Sequence, residues 1–149
     1  MDANLVLALA IGTVVATTIM TIFSYVVSKL RNRQFTEPVL LNRFLCGFGV
    51  LKEYQLEKNI AGWIIHYLVG LIFLVAYYLI WSRTRFDPSL STALVLGCCS
   101  GLIGIVGWSI LFKIQSVPAN IRLAEYYTQL FIAHVIFALT ATGAFRIVT

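Results

Sequence analysis

The chain has 149 residues, of which 60% are hydrophobic and only 11% are charged. In water-soluble domains about a quarter of the residues are charged, so this composition excludes a soluble enzyme domain. It predicts one transmembrane domain over residues 1–149. The net charge of +5 does not predict nucleic-acid binding, because the Lys and Arg residues flank apolar runs instead of gathering on a soluble face. The expected partner of the chain is the lipid bilayer.

Four apolar runs follow one another, at about residues 5–27, 60–81, 91–112 and 126–145. Each has about the 20 residues that a helix needs to cross a hydrocarbon core of roughly 30 Å. Lipid offers no hydrogen-bond partner to backbone N–H and C=O groups, so runs of this length must be helical. The sequence therefore predicts an all-α fold, an integral membrane four-helix bundle with up-down-up-down topology.

The connection between the first two runs is long enough to hold a further helix. Glu37-Pro38 opens a stretch, residues 39–50, whose apolar side chains recur at helical spacing with Asn42 and Arg43 between them. Proline is well tolerated in the first turn of a helix. We expect a short amphipathic helix that lies in the membrane interface.

The basic residues predict an orientation. Eight of them lie in or beside the first and third loops and three lie on the opposite side: Lys29, Arg31, Arg33, Arg43, Lys52, Lys58, Lys113 and Arg122 against Arg83, Arg85 and Arg146. Cytoplasmic loops carry an excess of Lys and Arg. We therefore expect a multi-pass protein of the cell inner membrane with both termini outside the cytoplasm.

A stripe of small residues runs along the third apolar run. Gly97, Gly101, Gly104 and Gly107 recur at intervals of four, three and three residues, which places them on one helical face. Small residues allow membrane helices to approach closely. We interpret the stripe as a packing surface, within the bundle or against a second copy or another membrane protein. A groove for a lipid or substrate tail is the alternative.

Two histidines lie inside apolar runs, His66 in the second and His134 in the fourth. Ionisable residues at membrane depth are costly and point to function. The two helices are expected to be parallel, and both rings fall roughly 9 to 12 Å below the cytoplasmic face at 1.5 Å per residue. The first run brings Thr17, Met20 and Thr21 to the same depth. These five residues form the candidate ligand or metal site.

Three interpretations of this layer are open. The histidines can stabilise the bundle through hydrogen bonds, coordinate a lipid or small molecule, or hold a soft metal ion or haem together with Met20. The chain contains no GxSxG, Walker, HExxH or CxxC motif, so nothing indicates an enzyme. We expect a binding, accessory or structural membrane component. A haem- or metal-binding membrane subunit using His66 and His134, and a small transporter subunit, are the alternatives.

Short motifs in three runs and one loop also carry a family resemblance. They are Gly12-Thr13, Ala16-Thr17 and Met20, then Glu37-Pro38, then Gly62-Trp63, His66-Tyr67 and Gly70, and finally His134. In these the chain resembles small four-helix bacterial inner-membrane proteins of a domain-of-unknown-function family. The resemblance implies the same fold and location, and it implies no activity.

Overall fold

The computed structural model describes residues 3–53, 56–115 and 117–149. In these residues the chain forms five helices: α1 (Ala3–Arg31), α2 (Glu37–Gly47), α3 (Ala61–Arg83), α4 (Leu90–Ile114) and α5 (Leu123–Val148). The four long helices are each long and apolar enough to cross a membrane. The prediction of an all-α four-helix membrane bundle is therefore confirmed, and each helix covers nearly all of its apolar run.

Helix α5 packs along α1 on one side and along α4 on the other, while α3 packs against α1. Small side chains make the close approach of α1 and α5 possible. The fully buried alanines of these two helices are Ala8, Ala16, Ala133, Ala138 and Ala141. Within the described ranges α3 and α4 do not pack along their lengths, although the Tyr77 hydroxyl donates a hydrogen bond of 2.8 Å to Ser100 Oγ. A gap between α3 and α4 results.

Three of the four stripe glycines face α5. A Cβ atom added to Gly97, Gly101 or Gly104 would lie 2.8 Å from an atom of α5, which is closer than real Cβ contacts. Gly107 differs, because an added Cβ would meet nothing within 4 Å in the described structure. The stripe thus lies against α5 over most of its length, and its last glycine leaves open space beside α4.

Helix α1 ends in a tight reversal that returns the chain to the bundle. Asn32 has φ 50°, in the left-handed region that asparagine adopts more readily than most residues. The amide of Arg33 donates to the Ser28 carbonyl at 3.0 Å, and the amide of Phe35 donates to the Ser28 hydroxyl at 3.2 Å. The start of α2 is therefore held beside α1.

Helix α2 exists where the sequence predicts a helix, but it is not a simple amphipathic surface helix. Its polar residues Glu37 and Asn42 are only 2% and 1% exposed. The helix packs closely on α3, because an added Cβ on Gly62 would collide with the Pro38 carbonyl. Both polar residues find hydrogen-bond donors or acceptors inside the protein.

Asn42 attaches α2 to the start of α3. Its Oδ1 accepts a hydrogen bond from the Gly62 amide at 2.7 Å. Its Nδ2 donates to the carbonyls of Leu56 and Asn59, both at 2.8 Å. One side chain thereby satisfies three backbone groups in the connection between the two helices.

The first and third loops lie at the same end of the bundle. An aromatic cluster joins α2, α4 and α5 there, with Phe44 against Trp108 at a centroid distance of 5.8 Å and Trp108 against Tyr126 at 5.6 Å. Gln115, just after α4, donates from Nε2 to the Phe44 carbonyl at 2.9 Å. This arrangement is that of an up-down-up-down bundle.

We predict that Asn42→Ala lowers the thermal unfolding midpoint of the detergent-solubilised protein by several degrees. The change leaves the buried Gly62 amide without a partner, which costs about 1 to 3 kcal/mol, and it also removes the donor to two part-buried carbonyls. Arg43→Ala is the matched control, since Arg43 is the exposed neighbour on the same helix. Equal midpoints for the two variants would contradict this role of Asn42.

Candidate functional site

A cavity of about 260 Å³ lies inside the bundle, in the half next to α2. This volume is a little below the range of about 300 to 1,000 Å³ found for small-molecule pockets. Val69 of α3 and Ile103 of α4 line the cavity and are 40% and 60% exposed. Because α3 and α4 stand apart at this level, the cavity opens sideways, toward the region that lipid tails would occupy.

The structure brings the sequence-predicted site residues together. Thr17 and Met20 of α1, His66 of α3 and His134 of α5 all line the cavity. Thr21 is not among the lining residues, but its Oγ1 lies 2.9 Å from His66 Nε2. Residues that lie at the same predicted depth on three helices are therefore neighbours in the folded chain.

The hydrogen bonds of Thr21 determine the tautomer of His66. The Thr21 hydroxyl donates its proton to the Thr17 carbonyl at 2.6 Å. It has no second proton to offer, so His66 must donate from Nε2–H to Thr21 Oγ1. The other ring nitrogen, Nδ1, is then a bare acceptor.

His134 has the opposite tautomer. Its Nδ1 lies 2.8 Å from the Leu130 carbonyl oxygen, which can only accept, so Nδ1 carries the proton. Its Nε2 is therefore the bare acceptor, and in the described residues no hydrogen bond joins it to another group or links the two rings. Each histidine uses its proton to hold its own ring in place and keeps one unpaired lone pair.

Glu37 is a site residue that sequence reasoning did not select. It lines the same cavity from the first turn of α2 and is almost completely buried. Its Oε1 accepts from Ser24 Oγ at 3.0 Å and from Gln129 Nε2 at 3.5 Å. Its Oε2 is buried without a hydrogen-bond partner. A carboxyl group thus stands at the polar end of the cavity with half of its hydrogen-bonding capacity unused.

The electrostatic surroundings of Glu37 are those of a buried acid without a cationic partner. Burial away from water raises the pKa of Glu37 from its ordinary 4.5 to about 7, although the hydrogen bonds from Ser24 and Gln129 oppose the change. Neither Lys nor Arg is among the described residues that line the cavity. The carboxyl group therefore exchanges its proton near neutral pH.

The sequence contains Glu37 and its polar partners, but no local pattern indicates that they meet. It is one of only six acidic residues, and Ser24 and Gln129 are polar residues within apolar helices. Their meeting depends on the reversal after α1 and on the packing of α1 against α5, and neither is visible from local spacing. Taken alone, a Glu-Pro pair at the start of a helix indicates only a favourable helix N-terminus.

A metal site is less well supported than the histidine pair suggests. In the described part of the chain no group of three or more His, Cys, Asp or Glu side chains is arranged to hold a metal ion. Two imidazoles and the Met20 thioether remain as soft donors around the cavity. These donors suit copper or a haem iron by their chemistry.

No protein-family model, curated protein or solved structure matches the chain. The resemblance to a family of small four-helix membrane proteins therefore stays a hypothesis.

We predict that the Glu37 carboxyl group makes stability fall as pH rises. Its folded pKa of about 7 lies above the ordinary 4.5, so the folded state binds more protons between these values and loses stability as pH rises through them. The full effect is about 3 kcal/mol and is complete above about pH 8. Glu37→Gln stays neutral and keeps an acceptor for Ser24, so it should be more stable than the parent at pH 8.

The measurement is the thermal unfolding midpoint in detergent from pH 5 to pH 8. The difference between the parent and Glu37→Gln isolates the contribution of this one group, whatever else titrates. Glu57→Gln removes an exposed carboxylate and should follow the parent at every pH. Parallel profiles for the parent and Glu37→Gln would show that Glu37 is not a buried acid.

Proposed function

We propose that this protein is a binding or accessory component of the cell inner membrane that takes a small, membrane-dissolved amphiphile into the cavity between α3 and α4. The observation that carries this proposal is the division of the cavity into an apolar mouth and a polar end. Val69, Phe73 and Ile103 line the mouth, while Glu37, His66 and His134 supply the polar groups. Pockets of mostly apolar surface with a few polar groups are typical ligand sites.

Unpaired acceptors support a ligand at the polar end. Leaving a buried polar group without a partner costs about 1 to 3 kcal/mol, and native proteins rarely retain several in one place without a use for them. Here Glu37 Oε2 and Thr17 Oγ1 are buried without a partner in the lining of the cavity, and the tautomers leave one ring nitrogen of each histidine without a hydrogen bond. A head group placed among them would satisfy groups that the protein itself leaves unsatisfied.

Space for an apolar tail is available at the mouth. Gly107 lines the cavity, and an added Cβ would meet no atom within 4 Å. Entry from the bilayer needs no passage through water, because the mouth lies between two membrane-spanning helices. The eight-to-three distribution of basic residues supports an orientation with both termini outside and the polar end of the cavity in the cytoplasmic half.

The test uses Trp108, which lines the cavity and is 8% exposed, as a fluorescent reporter. Trp63 and Trp81 are replaced by Phe so that Trp108 emits alone. Three probes of equal chain length, bromohexanol, bromohexanoate and bromohexyltrimethylammonium, are titrated into the protein in nanodiscs, because bromine quenches tryptophan on contact. At least one probe should quench Trp108 with saturation.

Gly107→Phe should abolish this saturable quenching by filling the mouth. Gly143→Phe is the matched control, since Gly143 is also a helical glycine beside open space but does not line the cavity. Saturation that survives in the control and disappears in Gly107→Phe supports the proposal. Linear quenching of equal slope in all three proteins, for every probe, would overturn it.

A haem- or metal-binding membrane subunit is the second candidate. It is favoured by the two bare imidazole nitrogens and the Met20 thioether around one cavity. An absorption spectrum after addition of haem or of copper(II) separates this candidate from the first. A Soret shift or charge-transfer band that His66→Ala and His134→Ala each remove would favour it, and unchanged spectra would exclude it.

A further inference from the structure

The groups at the polar end of the cavity differ in one respect from an ordinary mixed polar pocket. Glu37 offers an acceptor oxygen, His66 and His134 each offer a bare nitrogen once their single protons are used elsewhere, and the buried hydroxyl of Thr17 is unpaired as well. Lys and Arg are lacking among the described lining residues. The polar end is therefore rich in electron pairs and has no positive charge of its own.

Aromatic rings line the same cavity. Trp108, Phe73 and Phe137 line the cavity together with Glu37. The faces of aromatic rings attract cations, with tryptophan the strongest, and aromatic cages are the usual way in which proteins hold alkylated ammonium groups. An acid in a mostly apolar cavity lined by aromatic rings is a favourable environment for an organic cation.

We propose that the amphiphile is an organic ammonium ion, whose charged head lies between the Glu37 carboxylate and the Trp108 ring while its alkyl chain extends toward the mouth at Gly107. This inference rests on the proposed function and adds the chemical class of the ligand. An ammonium head compensates the buried carboxylate, which has no cationic partner among the lining residues.

Other head groups fit less well. A carboxylate or phosphate head would place a second negative charge beside Glu37 and would find no cation to offset it. A neutral hydroxyl could donate one hydrogen bond but would leave the charge of the carboxylate uncompensated in a low-dielectric site. Only a cation is attracted electrostatically to the carboxylate, the lone pairs and the ring faces together.

Helices α1, α3, α4 and α5 each place residues around Glu37. The titratable ones are Tyr25 of α1, His66 of α3, and Tyr126 and His134 of α5. From α4, Trp108 and Leu111 line the space, and neither can titrate. Of these groups only Glu37 becomes negatively charged near neutral pH, so cation binding should follow its ionisation.

The Trp108 reporter in nanodiscs also tests this inference. In the parent, bromohexyltrimethylammonium should bind about tenfold tighter than bromohexanol, which corresponds to about 1.4 kcal/mol, and bromohexanoate should bind weakest. Glu37→Gln removes the charge and keeps the shape, so it should bring the cation and the alcohol to similar affinities. Glu57→Gln should leave the order unchanged, since this exposed carboxylate does not line the cavity.

The pH dependence supplies a second readout. The trimethylammonium probe carries a permanent charge, so any change in its affinity with pH comes from the protein. Its affinity should rise between pH 5 and pH 8 as Glu37 loses its proton, by about tenfold in total, the same factor that separates the cation from the alcohol, with the midpoint near the pKa of that group. Glu37→Gln should show a flat profile over the same range.

The outcomes separate the two proposals. Saturable binding of all three probes with equal affinity, unaffected by Glu37→Gln but lost in Gly107→Phe, would overturn the cation assignment and leave the binding function standing. Absence of saturable binding for every probe would overturn both. Preference for the ammonium probe that depends on Glu37 and on pH supports the inference, and preference for bromohexanoate contradicts it.

Discussion

The structure depends on one costly arrangement, the burial of the Glu37 carboxyl group between α1 and α5. A carboxylate away from water needs hydrogen-bond donors, and Ser24 and Gln129 provide them from these two helices. The two donors also contact each other, because Gln129 Nε2 donates to Ser24 Oγ at 2.6 Å. The first turn of α2, the end of α1 and the start of α5 are therefore held in one polar cluster. The cluster fixes where the chain re-enters the bundle after α1.

Close packing elsewhere explains why a cavity is left. The alanines of α1 and α5 and three glycines of α4 let these helices approach until backbone and small side chains touch. Helix α3 has no such surface toward α4, and Asn42 holds its start against α2 instead. The gap between α3 and α4 is thus a consequence of where small residues and hydrogen bonds are placed, and Gly107 keeps it open.

The sequence predicts the helices and part of the site. Membrane thickness fixes the length of each span, so four apolar runs were enough to predict four long helices. The common depth of His66 and His134 follows from the fixed rise of a helix, and both residues line the cavity. Glu37 and Asn42 could not be recognised in this way, because their partners lie in other elements. Gln129 is 92 residues from Glu37, and only the folded bundle brings them together.

The opposite tautomers of the two histidines provide the most direct test of the account. They follow from the hydrogen bonds to Thr21 and Leu130 and leave one ring nitrogen of each histidine without a hydrogen bond. Nitrogen-15 NMR of histidine-labelled protein at pH 8, assigned with His66→Gln and His134→Gln, distinguishes the two tautomers by chemical shift. The account predicts Nε2–H for His66 and Nδ1–H for His134. The same tautomer for both rings, or the reverse assignment, would contradict it.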